Sequence, residues 1–365
     1  MYTCPTRSLP DRARGLSLIE IMVGMVIGVL AIIIMMQVFA DSEATKRTTT
    51  GTADAQTTGN IAIFTMERDV RLAGFSFADS QVLNCTVTAH DTARAAGAQQ
   101  FTWQLVPVLI THGDDGAPDT VTVNYGSANV MVPGQDFTEA STVDMEYVVG
   151  NRAGYNASDI VVATAAGLGC TMAEITALPA GTGQLMRGTG NYVNAAGQTV
   201  TARHNKAGGL GTTYTTGTIH NLGPQPRSNV YTIRLGQFLA VRDELNYTDT
   251  DGDNANDDVS IADGVVQLQA QYGIDANNDG AVSEAEFTDA QPADTTAWGR
   301  LRAIRFGLLT RVGQYEKTSV TNAAPQWNGG EFTMVDPGDG TSWRNYRYRV
   351  IQTVVPLRNM IWGRS

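Results

Sequence analysis

A continuous apolar run near the N-terminus constrains this chain more than any other feature. Residues 16–39 read LSLIEIMVGMVIGVLAIIIMMQVF, which is 24 residues with one acid, Glu20, and no basic side chain. As an α-helix such a segment extends about 36 Å, and the hydrocarbon core of a bilayer is about 30 Å thick. Apolar runs of this length are typical of membrane spans rather than of buried helices in soluble domains. We therefore predict a transmembrane helix over residues 16–39.

The leader before this run, residues 1–15, predicts its orientation. It carries Arg7, Arg12 and Arg14 against a single acid, Asp11. Basic residues beside an apolar helix stay on the cytoplasmic side, so the rest of the chain is predicted to lie outside. A secretory signal peptide would have a shorter apolar region followed by small residues for cleavage, and this pattern is absent from the sequence.

The junction between leader and apolar run resembles the prepilin motif of type IV pilins and type II secretion pseudopilins. It reads RGLSLIE over residues 14–20. The resemblance implies that a prepilin peptidase cuts between Gly15 and Leu16 and methylates the new N-terminal amine. Glu20 corresponds to the family's fifth position in the mature chain. There the N-terminal amine of Leu16 of a neighbouring subunit would compensate the charge of the Glu20 carboxylate, because transfer of that charge into hydrocarbon costs free energy. The family has Phe or Met more often than Leu at the first mature position.

The segment after the apolar run is predicted to continue the helix and pack on a globular body. Ile63, Met66, Val70 and Ala73 recur on one helical face, and Gly74 follows as a helix end. We expect one helix over about residues 16–73, with two helices joined near TTTG at 48–51 as the alternative. The predicted fold is α+β, divided into a leader (1–15), a transmembrane or filament-core helix (16–39), its amphipathic continuation (40–75) and a β-rich domain (76–365).

Strand patterns dominate after residue 75. The clearest is Val265–Ile274, where apolar residues alternate with three glutamines. Residues 181–223 hold ten glycines in 43 residues and are predicted to form hairpin tips and irregular loops. The other strand candidates are 121–125, 159–163, 229–241, 301–311 and 346–356.

The C-terminal half resembles the PilW family of minor type IV pilins. The resemblance rests on GVVQLQAQYGID at 264–275, on the strand around Arg302 and Arg305, and on VPLRN at 355–359. It implies a low-abundance, non-enzymatic subunit that primes type IV pilus assembly and caps the filament. The implied location is the inner membrane, single-pass with the C-terminal domain in the periplasm, and then the pilus. Implied partners are the prepilin peptidase, other minor pilins, the major pilin and the inner-membrane assembly platform.

Three alternatives remain open at this point. PilW-like proteins are similar to the J-type minor pseudopilin of type II secretion, which shares the prepilin motif. A membrane-tethered, Ca²⁺-dependent adhesin or binding module is the second alternative. An enzyme anchored by one helix is the third and least favoured, because the chain has no GxSxG, Walker, GxGxxG or HExxH motif.

Residues 275–286, DANNDGAVSEAE, fit the EF-hand loop pattern D-x-[DN]-x-[DN]-G-x5-E at every required position. Calcium takes six to eight oxygen ligands, and Gly280 at the sixth position permits the sharp turn. A strand leads into the loop, so we expect an EF-like site and no helix–loop–helix sensor. A turn without an ion is the alternative. The predicted Ca²⁺ ligands are Asp275, Asn277, Asp279, Ala281 through its carbonyl, Ser283 and Glu286.

A second acidic run, DTDGDNANDD at residues 249–258, is less orderly. Its glycine occupies the fourth position of the run, so it departs from the EF-hand pattern. We expect a solvated loop here, with a second ion as the alternative.

Cys85 and Cys170 are the two cysteines that remain after the predicted cleavage. The predicted compartment is oxidising, so we expect a disulfide between them, with two buried thiols as the alternative. The net charge of −11 excludes a nucleic-acid binder that relies on a basic surface. The 42% hydrophobic content, with 17% charged residues, excludes a mostly disordered chain.

Overall fold

A computed structural model describes residues 15, 17–78, 82–130, 133–141, 145–338 and 340–362 of the chain. The chain divides into two compact units, Met1–Gly51 and Thr52–Ser365. Helix α1 (Leu18–Leu72) is continuous from the first unit into the second. The prediction of one long helix is confirmed, and the alternative of two helices with a linker is wrong.

The second unit contains two further short helices and a series of strands. The helices are α2 (Thr295–Gly299) and α3 (Arg358–Trp362). The strands are β1 (Cys85–His90), β2 (Gln100–Leu105), β3 (Val108–Thr111), β4 (Thr120–Tyr125), β5 (Gln135–Asp136), β6 (Glu146–Val148), β7 (Ile160–Thr164), β8 (Cys170–Glu174), β9 (Gln184–Met186), β10 (Asn191–Val193), β11 (Thr199–Thr201), β12 (Thr218–Gly223), β13 (Arg227–Arg234), β14 (Phe238–Asp243), β15 (Val259–Asp263), β16 (Val265–Ile274), β17 (Phe287–Thr288), β18 (Leu301–Arg311), β19 (Gln326–Trp327), β20 (Gly330–Glu331) and β21 (Tyr348–Pro356).

Three larger sheets build the second unit. The first has the order β2-β1-β8-β7-β12-β5, and its β1–β8 pair is parallel. The second has the order β15-β14-β13-β4-β3, and the third has the order β17-β16-β18-β21. Both of these are antiparallel. Two-stranded ribbons complete the described strands: β6 with β9, β10 with β11, and β19 with β20. The α+β class predicted from the sequence is confirmed.

The last turns of α1 pack on the sheets of the second unit. Ile63, Met66, Val70 and Ala73 are all buried, as the periodicity predicts. Gly59 lies against Ile351, where a side chain would collide with that residue's terminal carbons. This face of the helix therefore belongs to the core of the second unit.

The described core falls into two hydrophobic clusters. The larger one joins α1 to all three larger sheets, and it includes Tyr272 and Trp298, whose rings meet edge to face at 5.8 Å. The smaller one lies in the middle of the chain and is centred on three aromatic rings with centroids 5.5–6.3 Å apart: Phe137, Tyr147 and Tyr214. Such aromatic packing contributes beyond the area it buries.

One strand prediction is wrong. Residues 229–241, expected as a single strand, form the end of β13, a turn and the start of β14. Three residues separate the paired Arg234 and Phe238, and two of them, Leu235 (φ 51°) and Gly236 (φ 60°), adopt the left-handed conformation. Leucine rarely adopts that conformation, so the sequence pattern does not mark the turn. The predicted strands 265–274 and 301–311 are confirmed at both ends.

Candidate functional site

The apolar segment of α1, residues 18–39, keeps its side chains exposed. Among the described residues, α1 is the one helix long and apolar enough to cross a membrane, and none of its most apolar window is buried. Around Gly24 and Gly28, nothing lies within 4 Å of where a side chain would begin. Soluble monomers rarely expose so large an apolar surface. The segment therefore needs lipid or other helices around it.

Glu20 lies in the first turn of this segment. Its Oε2 accepts a hydrogen bond of 3.0 Å from the backbone N–H of Ser17. The contact satisfies one of the N–H groups left open at the start of a helix, and the carboxylate complements the helix dipole. Gly15 is exposed, whereas Leu16 and residues 1–14 lie outside the described residues. The predicted cut between Gly15 and Leu16 stays a prediction.

The loop over residues 275–286 is closed by hydrogen bonds to its first and last carboxylates. Asp275 accepts from the backbone N–H groups of Asp279 and Gly280 at 3.0 and 3.1 Å. Glu286 accepts from the Ala276 N–H at 3.0 Å and from the Ser283 N–H at 2.8 Å. These contacts tie the twelfth residue of the segment to its second and draw both ends together.

The six predicted ligands of this loop differ in exposure. Asp275 is buried and Glu286 is half-buried, while the remaining four are exposed: Asn277, Asp279, Ala281 and Ser283. The backbone N–H of Ser283, and then its hydroxyl, lower the pKa of Glu286, so this carboxylate is ionised at neutral pH. Strand β16 leads into the loop, and a 3₁₀ turn (Glu284–Glu286) forms its last three residues. The prediction that a strand leads into the loop is confirmed.

Two arginines of β18 hold the loop against the third sheet. Buried Arg305 donates from Nη1 to Glu284 at 2.7 Å and from Nε to Gln271 at 2.6 Å. The Nε of Arg302 lies 3.8 Å from Oδ2 of Asp275. Arg302 and Arg305 are part of the family resemblance, but their contacts with the loop depend on strand register and cannot be predicted from local sequence.

The acidic run at 249–258 forms a closer group of carboxylates than the sequence analysis expected. One oxygen from each of Asp249, Asp251 and Asp257 lies within 4.8 Å of the other two. Among the described residues, these three aspartates are the group of His, Cys, Asp or Glu side chains whose ligand atoms lie this close together. The 275–286 loop, which fits its motif better, does not bring three carboxylates so close.

Cys85 and Cys170 form a disulfide in the structure, with their Cα atoms 6.1 Å apart. Cys85 begins β1 and Cys170 begins β8, the two strands that pair in parallel. The bond therefore links strands that are 85 residues apart in the sequence.

The histidines occupy structural positions in the described chain. Nδ1 of His204 lies 3.2 Å from the backbone oxygen of His90, and both side chains are buried. Burial lowers the pKa of each, so both are neutral at pH 7. His112 lies 3.1 Å from Asp119, and His220 lies 3.1 Å from the hydroxyl of Thr218. His112, His204 and His220 thus make hydrogen bonds within the fold.

Comparison with known proteins relates the C-terminal part of this chain to pilus assembly. The family model of the type IV pilus-assembly protein W, PilW, matches residues 230–359. That stretch contains the 275–286 loop and both arginines that hold it. The match supports a role in type IV pilus assembly, and with the apolar helix it supports a location in the cell envelope or at the surface. No curated protein and no solved structure matches the chain.

Proposed function

We propose that this protein is a minor pilin of the PilW type, which primes the assembly of type IV pili and caps them within a minor-pilin complex. The observation that carries the proposal is the exposed apolar segment of α1 with Glu20 in its first turn. That segment belongs to a chain whose C-terminal part matches a pilus-assembly family. The function is structural rather than enzymatic.

Glu20 has a specific task in this proposal. After cleavage between Gly15 and Leu16, the Leu16 amine of a neighbouring subunit becomes the cation that compensates Glu20 in the apolar filament core. The Ser17 N–H holds the carboxylate at the start of the helix, where an incoming amine can reach it. Pairing of the Leu16 amine with the Glu20 carboxylate thus sets the axial register between adjacent helices.

The subunit starts in the inner membrane as a single-pass protein with its β-rich body in the periplasm. Its partners are the prepilin peptidase, other minor pilins, the major pilin and the assembly platform. The disulfide Cys85–Cys170 supports an oxidising location for the body. The related alternative is a J-like minor pseudopilin of type II secretion, which would use the same helix chemistry.

The test is deletion of the coding sequence followed by complementation. Loss of surface pili, restored by the wild-type chain but not by Glu20→Ala, is the expected result. Glu43→Ala is the matched control, because Glu43 is a half-buried acid of the same helix that forms an i,i+4 pair with Arg47 outside the apolar segment. Normal pili with loss of secreted enzymes would instead identify a pseudopilin. Normal pili with loss of adhesion would identify a tethered adhesin.

We also propose that the 275–286 loop binds Ca²⁺ through Asp275, Asn277, Asp279, the Ala281 carbonyl, Ser283 and Glu286. Supporting observations are the ionised Glu286 folded back onto the start of the loop and the buried Asp275. Bound Ca²⁺ would replace hydrogen bonds that now close the loop. Because Arg305 ties Glu284 to β18, ion binding would stiffen the third sheet.

A further inference from the structure

A cleft opens on the face of the third sheet that is opposite α1. Thr310 of β18 lies against Gly59 of the helix, and successive side chains of a strand point to opposite faces, so those of Leu309 and Arg311 point away from α1. Both residues line the cleft, which has a volume of about 280 Å³. Its walls are the β13–β14 turn and residues 333–337.

Leu235, in the wall formed by the β13–β14 turn, is a residue that folding does not account for. Its φ of 51° lies in the left-handed region, which glycine or asparagine adopts at lower cost than leucine. Its side chain is 85% exposed, so the fold gains almost no apolar burial from a leucine at this position. Strained backbone of this kind concentrates where a protein binds its ligands. The leucine therefore indicates a contact with a group outside the chain.

The second wall of the cleft presents another exposed aliphatic side chain. Val335 is 73% exposed, and Leu309 between the walls is fully buried. Single exposed apolar residues are common on protein surfaces, but here two of them, from separate elements, line the same cavity. An aliphatic side chain placed between Leu235 and Val335 would remove apolar surface of both from water.

Arg311 gives the cleft a positive charge. Its guanidinium carbon lies 4.8 Å from the ring centroid of Tyr346, and within the described residues it forms no ion pair with an acid. Asp336 also lines the cleft, but it is exposed, and its Oδ1 accepts a 2.8 Å hydrogen bond from the N–H of Trp343. A half-buried guanidinium without an acidic partner is complementary to a carboxylate.

Two neutral polar side chains complete the lining. Gln237 and Thr333 are exposed, one on each wall, and neither side chain makes a hydrogen bond to another described residue. The glutamine amide and the threonine hydroxyl can each donate and accept, as pairing with a peptide group requires. These two side chains favour a peptide over a ligand that has only an apolar body and a charge.

We propose that this cleft binds an extended peptide segment of another protein, in which an aliphatic side chain lies near a carboxylate. The aliphatic side chain packs between Leu235 and Val335, and the carboxylate pairs with Arg311. Gln237 and Thr333 form hydrogen bonds with the main chain of the segment. The site does not depend on the proposed pilus function, since none of its residues belongs to α1.

The experiment is fluorescence polarisation with the full chain in detergent. The probes are labelled heptapeptides that place one Leu and one Asp at each spacing in a Gly-Ser background. At least one should bind, and its counterpart with Asn in place of Asp should bind about fivefold more weakly. Arg311→Gln should abolish this preference for Asp. Arg349→Gln should retain it, because register places this exposed arginine beside Thr310, on the α1 face of the sheet.

Leu235→Asn separates docking from structural damage. It should weaken peptide binding about tenfold through lost apolar contact. The free energy of unfolding in urea should stay the same or rise, because asparagine adopts a positive φ more readily than leucine. Leu235→Gly, which also suits this backbone, serves if asparagine impairs folding. Leu168→Asn, at a 46% exposed leucine outside the cleft, should leave binding unchanged.

Three results would overturn the proposal. They are failure of every peptide to bind at concentrations up to about 1 mM, an undiminished preference for Asp in Arg311→Gln, and full affinity in Leu235→Asn. Displacement of a bound peptide by an equal concentration of hexanoate would also overturn it, because the cleft would then be a site for free carboxylic acids.

Discussion

The hydroxyl of Tyr231 donates a 2.6 Å hydrogen bond to Oδ2 of Asp69, which holds the last turns of α1 against strand β13. The amide of Asn229 donates to the same oxygen, also at 2.6 Å. Asp69 is only 1% exposed, so these donors replace the water that its carboxylate loses on folding. The carboxylate in turn contributes, after burial, to raising the pKa of Tyr231 above its usual value.

Tyr231→Phe should therefore lower the free energy of unfolding by about 1–3 kcal/mol, because it leaves a buried carboxylate with one donor fewer. Urea titration of the detergent-solubilised chain measures this. Tyr315→Phe is the matched control, since Tyr315 is 47% exposed, and it should change stability by no more than about 0.5 kcal/mol. Equal losses of unfolding free energy in the two variants would show that the Tyr231–Asp69 hydrogen bond adds nothing to stability beyond the effect of removing an exposed hydroxyl.

Gly15→Val should block removal of the leader, because the proposed peptidase cuts after a glycine. Intact mass spectrometry of membrane fractions should then find residues 1–15 still attached, whereas the wild-type chain should begin at a methylated Leu16. Gly24→Val, beyond the junction and without close neighbours, should be processed normally. A processed Gly15→Val chain would contradict the prepilin assignment.

Glu286→Gln should reduce the rise in melting temperature that Ca²⁺ produces, since it neutralises the carboxylate that closes the 275–286 loop. Differential scanning fluorimetry with and without Ca²⁺ gives the measurement. Asp289→Asn, at an exposed acid just beyond the loop, should retain the full rise. A Glu286→Gln chain with an undiminished Ca²⁺ response would place the ion elsewhere.

His204 should make the fold sensitive to mild acid. Burial is the main cause that lowers its pKa, so the folded value lies below the unfolded value of about 6.5. The unfolded chain then binds more protons below about pH 6.5, and the free energy of unfolding falls as the pH drops from 7 to 5. One such site changes it by at most about 1.4 kcal/mol per pH unit.

The measurement is unfolding of the wild-type and His204→Gln chains across this pH range. His204→Gln should lose less stability on acidification than the wild type. His112→Gln is the opposing control: the pKa of His112 is raised, so its contribution is present at low pH and its removal should steepen the acid loss. Parallel curves for the wild type and His204→Gln would contradict the assignment to His204.

Local patterns predict the elements whose side chains alternate regularly. Strand β16 alternates apolar residues with glutamines, and the spacing of Ile63, Met66 and Val70 predicts the buried face of α1; strand β18 is instead recognised as a long run that is buried on both faces. The turn at Leu235 cannot be predicted from local patterns. The pairing of β13 with β14 imposes the positive φ on this leucine. Tertiary structure decides that conformation over local preference.

The candidate sites also differ in how far local sequence predicts them. The 275–286 motif is contiguous, so its candidate ligands can be read from spacing alone. The attachment of that loop through Arg305 and Glu284 depends on the register of β18 beside β16, which no local pattern reveals. The closeness of Asp249, Asp251 and Asp257 likewise depends on how the loop folds back, which the spacing of these residues in the sequence does not show.

The parallel pairing of β1 with β8 has a consequence for the order of events during synthesis. The six-stranded sheet cannot be completed until the chain has been made at least as far as Cys170, because β8 lies between β1 and β7. Contacts of such long sequence separation form slowly. During synthesis from the N-terminus, the first hairpin, β1 with β2, must therefore wait without its third strand until residues 106–170 have been made.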